Sequence, residues 1–598
     1  MTNLLDIFGF LAVLLRGLIL ALQSIVGGGL VFALFVDRGE GDGAAAKACR
    51  RLLLASAIGL ALVEAANVAA DSLILMTTAD LRFGEVAGAN FFVAGVVAAL
   101  LAAAIAVIAG VAGVARGAGG ADIAGSSTLR GPLRLALGLA LGILAASVAT
   151  SHAAARLDDR LLPLALTALH HAATACWIGG LPYLLLTVRR AADSGGDAAA
   201  MASGGGAAAE SAAALPPQPT SRLAVQPVVA RFSRLAQGSV IVLVAAGLGL
   251  AWLYVGTPAA VLGTAYGAMV TAKVSLLVLL LALGALNQSI VQGAATGNTT
   301  LFGRLRRYTE AEIGIGFTVI LAAASLTSQP PASDLARDQI VPLSSIAARL
   351  APHAPRLVPP PAEERLPPAL RTTAIPAGAT PAGAPPAEAA ASLPSQYNAF
   401  VPGELAEAPT PGERALSEFN HNVSGLVVLV AGLLALGARA GLRWARNWPL
   451  AFLGLAVFLL LLADVEYWPL GPIPFWRSFL VAEALQHRLA VLLIVAFAIF
   501  ERQVQMGRAT SNATALVFPF ACFLGGALLL THSHALANPQ DQLLTELSHV
   551  PIAILGVAAG WSRWLELRLP DGPRRPLAWV WPVCLVLIGL ILLDYREA

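Results

Sequence analysis

Apolar stretches of about 20 residues recur from one end of the chain to the other, each long enough to cross the hydrocarbon core of a bilayer. In lipid, every backbone N–H and C=O must find its partner within the element, so stretches of this length are expected to become helices. Of the 598 residues, 12% are charged and 57% hydrophobic, about half the charge of a soluble chain. The runs predict fourteen spans. Eight lie near residues 8–36, 51–75, 88–115, 133–150, 162–188, 233–255, 265–290 and 309–328. Six more lie near 421–440, 449–465, 479–500, 514–531, 547–565 and 577–593. The expected fold class is an all-α polytopic membrane protein, with about fourteen transmembrane helices in two bundles of eight and six. The first run, from about Phe8 to Val36, is too long for a signal-peptide core and lacks a basic leader, so it reads as a retained helix. Arg16 within it is costly against lipid and is expected to face protein or water.

Basic residues give the orientation, because Lys and Arg concentrate in cytoplasmic loops. One set of alternate loops carries Arg38, Lys47, Arg50 and Arg51, then Arg116, Arg130 and Arg134. It continues through Arg304, Arg306 and Arg307 and ends with Arg563, Arg568, Arg574 and Arg575. The other set is poor, with Arg82, Arg156, Arg160 and Arg477, and none at 256–264 or 532–546; the long segment 329–420 has several arginines, but long translocated segments escape the rule. Both termini are therefore expected outside, in a bacterial periplasm, with the chain crossing the inner membrane many times. Residues 191–230, rich in Ala, Gly, Ser and Pro, read as a flexible cytoplasmic linker within an N-terminal eight-helix domain, 1–328. The Pro/Ala-rich stretch 329–415 reads as a largely irregular periplasmic segment with short helices, and 416–598 as a C-terminal six-helix, histidine-rich domain.

With that topology all nine histidines fall on the outer side or in the outer halves of spans. His353 lies in the irregular segment and His152 in a loop. The fifth span reads LHHAATACWIGGL from Leu169 to Leu181, with His170, Thr174 and Trp177 on one face and His171 about 100° away. Gly179 and Gly180 permit close helix approach. In the second span Glu64, Asn67 and Asp71 share a face. A carboxylate within a span faces a cavity or a partner, so Glu64 is a candidate partner of a His170 metal ligand. The alternative is an interhelical, hydrogen-bonded histidine.

The C-terminal half is denser in ligand types. FNHN supplies His421, EALQH sets Glu483 and His487 four apart, THSHALAN gives His532 and His534, and ELSH gives Glu546 and His549. Asp464 and Glu466 sit where the tenth span emerges. Imidazole binds copper, zinc and iron, and carboxylates fill hard or supporting positions. The candidate metal residues are thus His170, His171, Glu64, His421, Glu483, His487, His532, His534 and His549. The alternative is that each histidine anchors a helix end at the headgroups. The four cysteines are far apart with no CxxC, which supports neither a disulfide framework nor a thiolate zinc site. Eight tryptophans, including Trp448 and Trp581, read as an interfacial aromatic belt. Asn287, Gln288 and Glu312 could continue a polar path inward, with helix packing as the alternative. No P-loop, GxSxG or HExxH is present, so any transport is not driven by a nucleotide site in this chain.

LHHAATACWIGGL resembles the signature of the CopD family of bacterial copper-resistance inner-membrane proteins. So do ARFSRLAQGSV from Ala230, LGTAYGAMVTAKVSLLVLLLALGALNQ from Leu262 to Gln288, and RRYTEAEIGIGFTVILAAASLTSQPP from Arg306 to Pro331. Together these cover most of 160–331, and the C-terminal half resembles the extension of longer family members. The resemblance implies copper handling at the inner membrane, usually import, with a small periplasmic CopC-type protein as a separate donor. It puts His170 at the family's histidine position, followed by Trp177, Gly179 and Gly180. His171 and Cys176 are additions. The resulting expectation is a copper-binding transporter rather than an enzyme, its ligand Cu(I) or Cu(II). One alternative is a redox protein with b-type haem between histidines of two helices, acting as a metal reductase. Another is a copper chaperone that does not transport.

Overall fold

A computed structural model describes residues 2–37, 43–118, 130–156, 159–190, 220–294, 300–361, 364, 410–479, 482–508, 511–530 and 539–597. Among the described residues the architecture is all helical, apart from one isolated bridge between Tyr467 and Ile473. The helices used below are α1 (Thr2–Val31), α2 (Gly43–Thr78), α3 (Asn90–Ala118), α4 (Arg130–Ala149), α5 (Leu161–Trp177), α6 (Thr220–Val255) and α7 (Ala265–Ala294). They continue with α8 (Thr300–Leu326), α9 (Pro411–Arg439), α10 (Ala451–Leu462), α11 (Ala482–Gln505), α12 (Val517–Leu529), α13 (Pro539–Arg568) and α14 (Asp571–Leu593).

Among the described residues, 12 helical stretches are long and apolar enough to cross a membrane. Every expected span has a helix. However, α11, with Arg488, Glu501 and Arg502 along it, is not one of the twelve, and α12 has only 13 residues. Helix α6 starts at Thr220, inside the stretch expected to be linker, and runs through Pro227. Proline and serine read as breakers in sequence, yet a membrane helix tolerates proline where neighbours satisfy the freed backbone group. Residues 191–219 and 365–409 lie outside the described residues. Over 329–361 the chain is irregular with short helical turns, the longest being Leu343–Arg349, whereas α9 already begins at Pro411, inside the stretch expected to be irregular.

The chain divides into two compact units. The first comprises Met1–Leu11, Thr257–Ala272 and Asp334–Ala598, and the second Ala12–Gly256 and Lys273–Ser333. In the second unit α2 packs along α3, α3 along α4 and α5 along α6. Glycine permits the closest approach: a Cβ at Gly28 of α1 would lie 2.6 Å from the backbone nitrogen of Gly180.

The first unit is built on α9 against α14, α13 against both α12 and α14, and α10 against α11. Thr410 caps α9: its Oγ1 accepts from the Glu413 N–H at 3.3 Å, and Glu413 Oε2 accepts from the Thr410 N–H at 2.7 Å, with Pro411 at the first helical position. A Cβ at Gly432 would sit 2.8 Å from the nitrogen of Val586, so small residues on α9 let α14 run alongside. An aromatic core fills the centre, with Trp448, Phe452, Phe497, Phe518 and Trp581 in mutual contact. Trp448 and Trp581 are therefore core residues and not part of a belt, with exposures of 1% and 0%. The Trp581 indole N–H donates to Glu566 Oε2 at 2.9 Å, which gives a buried tryptophan the partner it needs.

Candidate functional site

In the second unit, α5 presents His170 and His171 within the helix bundle. The His170 ring lies against α6, where a Cβ at Gly247 would meet its Cε1 at 3.4 Å. Thr174 Oγ1 donates to the His170 carbonyl at 2.8 Å, and the His170 imidazole hydrogen-bonds to the backbone of Leu243 on α6. Nδ1 of both rings is buried and has no hydrogen-bond partner. Buried polar atoms are normally paired, so each such atom calls for an ion, a water or a functional role. His152, on the short helix His152–Ala155, has its Nε2 in the same condition.

Charged groups line the same interior. Glu64 is 7% exposed and faces α3, where a Cβ at Gly95 would meet its Oε2 at 3.8 Å. Asn67 donates to Asp71 Oδ2 at 2.9 Å. Arg16 lies within electrostatic reach of Glu64, Asp71 and His171, and so faces protein as expected from its position in an apolar run. The charge partner of Glu64 is Arg16. Lys273 of α7 acts on both His170 and His171. The sequence reading missed it, although a lysine in the middle of a long apolar run was signal enough.

In the first unit, three aromatic rings meet. His421 of α9 stacks on Tyr595 with centroids 3.9 Å apart, and His549 of α13 stands 6.3 Å from His421 and 6.2 Å from Tyr595. His421 Nδ1 donates to the Ser417 carbonyl at 2.8 Å, and His549 Nδ1 to the Thr545 carbonyl at 2.9 Å. A proton held on Nδ1 leaves the lone pair on Nε2, the form that binds a metal. The asparagines of FNHN position the group. Asn422, fully buried, donates to the carbonyls of Leu592 at 3.2 Å and Tyr595 at 3.0 Å, and accepts from the Arg356 N–H at 2.6 Å. That ties the segment after α14 to α9 and sets Tyr595 on His421. The Tyr595 hydroxyl donates to Glu597 Oε2 at 2.9 Å, and Ser417 Oγ donates to the same oxygen. Burial, and then the negative charge of Glu597, push the Tyr595 phenol above the usual tyrosine range.

His487 of α11 donates from Nδ1 to Asp464 Oδ1 at 2.7 Å, and lies within electrostatic reach of His421. Asp464 also pairs with the buried Arg488 at 3.2 Å. A carboxylate behind an imidazole is the arrangement that orients metal-ligating histidines. Glu546 is buried one turn before His549. His353, by contrast, has its Nδ1 on Asp594 Oδ1 at 2.8 Å, with its backbone N–H on the same oxygen at 3.1 Å, and serves as a pin. His532, His534 and the side chain of Glu483 lie outside the described residues. Among the described residues, no group of three or more His, Cys, Asp or Glu side chains is placed to hold a metal ion.

Residues 226–326 carry a Copper resistance protein D (CopD) domain. No curated protein and no solved structure is significantly similar to the chain. The CopD match takes in α6, α7 and α8 almost entirely, and with them three of the four stretches quoted for the resemblance. LHHAATACWIGGL lies outside the matched residues, but His170 packs directly on Gly247 within the CopD domain.

Proposed function

We propose that this chain is a multi-pass inner-membrane protein that captures copper on the periplasmic side through imidazoles and moves it to the cytoplasm. The observation that carries the reading is the CopD domain at 226–326, with the orphaned imidazole nitrogens of His170 and His171 beside it. Copper is the cargo. The orientation, with both termini in the periplasm, rests on the Lys/Arg asymmetry of alternate loops. In this reading an N-terminal eight-helix domain (1–328) and a C-terminal six-helix domain (416–598) flank a periplasmic segment, and the fourteen helices include α11 and α12.

Two entry groups are assigned. His170 and His171, with Glu64 as a supporting carboxylate, form one. His421 and His549 form the core of the other, joined by His487, Glu483, His532 and His534. Two nitrogens at about 2 Å from one ion bring their ring centroids to roughly 6 Å, close to the 6.3 Å between His421 and His549. Few, nitrogen-rich ligands and no thiolate suit Cu(I) in a low-coordinate site, or Cu(II) with added water. The Tyr595 ring against His421 favours a bare ion over a haem macrocycle between the two imidazoles. A separate periplasmic CopC-type donor would deliver the ion.

Metal analysis with an optical spectrum on the detergent-purified protein tests this reading. Copper bound near stoichiometry, lost in His421→Ala/His549→Ala and without a Soret band, is the expected result. Unchanged copper in that variant sinks the C-terminal site, and a Soret band replaces the reading with a redox one.

A further inference from the structure

Within the second unit, the CopD helices α6, α7 and α8 and the chain at and just beyond the end of α5 line a cavity of about 520 Å³. Its walls are mostly apolar, from Trp177, Leu181 and Phe232 on one side to Leu281 on another. Six polar side chains line it: Ser233 and Gln237 from α6, Asn287 and Gln288 from α7, and Thr309 and Glu312 from α8, with the Thr309 hydroxyl donating to the Leu305 carbonyl at 2.8 Å. Ser233 donates to Gln288 Oε1, so that pair is self-satisfied. Glu312 and Asn287 are 4% and 8% exposed and hydrogen-bond to each other. The Asn287 amide donates, and its Oδ1 is left buried with no partner.

Charge around Glu312 is unusually sparse. It is the only ionisable side chain among the described residues lining the cavity. On its own helix, Arg306 and Arg307 are occupied by Glu310 at 3.3 and 2.9 Å, while Arg304 lies within electrostatic reach of Tyr308, and neither Arg304 nor Tyr308 lines the cavity. Among the described residues, no Lys, Arg, His or second carboxylate from α6, α7 or the chain beyond α5 lines the cavity. A buried carboxylate without a counter-charge does not stay bare in a low-dielectric interior; it takes up a proton or a cation. The donors here are one carboxylate and amide or hydroxyl oxygens, with no imidazole or thiolate, which does not fit copper. A metal cation would need several converging oxygens, whereas a proton needs one. At about 520 Å³ the cavity has room for water beside its polar groups, which would carry a proton in and out.

We propose that the cavity is a proton-binding site, in which Glu312 takes and releases one proton and Asn287 orients its carboxyl group. The step is a simple association of carboxylate and proton, with no redox partner. It stands apart from the copper reading and does not need it to hold.

The test is residue-resolved modification of the full chain in detergent by dicyclohexylcarbodiimide. This reagent takes the proton of a neutral carboxylic acid and is then attacked by the carboxylate, leaving a stable acylurea that mass spectrometry maps. Labelling at Glu312 should fall about tenfold or more as pH rises from 6 to 9, referenced to hydrolysis of free reagent at each pH. It should disappear in E312Q and persist in E312D. pH-difference infrared spectra should show a protonated-carboxyl band that E312Q removes. No label at Glu312, a label independent of pH, or an infrared band unchanged in E312Q would overturn the proposal. Protection by sodium chloride at constant pH would also overturn it, in favour of a metal cation. Copper neither enters nor is read in these measurements, so their failure and failure of the transport reading are distinguishable.

Discussion

Replacing Glu566 by alanine should loosen the bundle that carries His421, His549 and Tyr595. Glu566 is 7% exposed and sits on α13, near the opposite end from His549. It pairs with Arg439 of α9 at 2.5 Å and Arg563 at 2.8 Å, and accepts the Trp581 indole N–H of α14 at 2.9 Å. Arg563 also pairs with Glu501 of α11 at 2.8 Å. Two cations and two anions thus balance, and the network ties the four helices together. Removing one partner of a buried pair costs about 3–5 kcal/mol, and an orphaned indole N–H adds about 1–3 kcal/mol. The terms share one acceptor and do not add in full, so Glu566→Ala should lose about 4–6 kcal/mol. Glu566→Gln keeps an acceptor for Trp581 but leaves one excess positive charge, and should lose about half as much. Chemical unfolding in detergent micelles, followed by tryptophan fluorescence, reads both. A loss below about 1 kcal/mol for the alanine variant, the level of a solvated surface pair, would refute the reasoning.

Four further outcomes are expected. Asp464→Asn should weaken copper binding at the His487 group about 10–100-fold, read by competition with a chelator of known affinity; an unchanged affinity would remove His487 from the site. Gly28→Val places side-chain atoms against the backbone at Gly180 and should destabilise the second unit by about 1–3 kcal/mol, seen as a lower melting temperature in detergent. Tyr595 is held above the usual tyrosine range by burial and Glu597, so its contribution is full below the unfolded value of about 10 and is lost as pH rises past it. Tyr595→Phe should flatten the alkaline limb of the stability–pH profile; an identical limb would show that Tyr595 does not titrate there. His170→Ala should reduce copper binding while leaving the His421–His549 pair loaded, measured by copper stoichiometry in single and combined variants.

Much of the fold is legible in the sequence because bilayer thickness imposes one length on every span. The helices fall where the apolar runs do, including α12, which is too short to qualify by length. Helix α6 is less legible, since Pro227 and its Ala-, Gly- and Pro-rich approach look like linker and only neighbouring helices make them tolerable. For the site, the helices bearing histidines could be read, but the pairing could not. That His421 meets His549 depends on α9 and α13 both packing on α14. Tyr595 gave no signal as an ordinary tyrosine just past a span, and reaches His421 only because Asn422 holds the backbone there. Trp448 and Trp581 read as interfacial by position, yet both lie in the aromatic core, where Glu566 accepts from the Trp581 indole and the Trp448 indole N–H is buried with no partner.

The measurement that tests the central claim most directly is copper uptake into proteoliposomes containing the purified chain. Accumulation above that of protein-free vesicles is expected, reduced in His170→Ala and in His421→Ala/His549→Ala. Tight binding of copper without accumulation in either orientation of the protein would contradict transport and leave a membrane chaperone in its place.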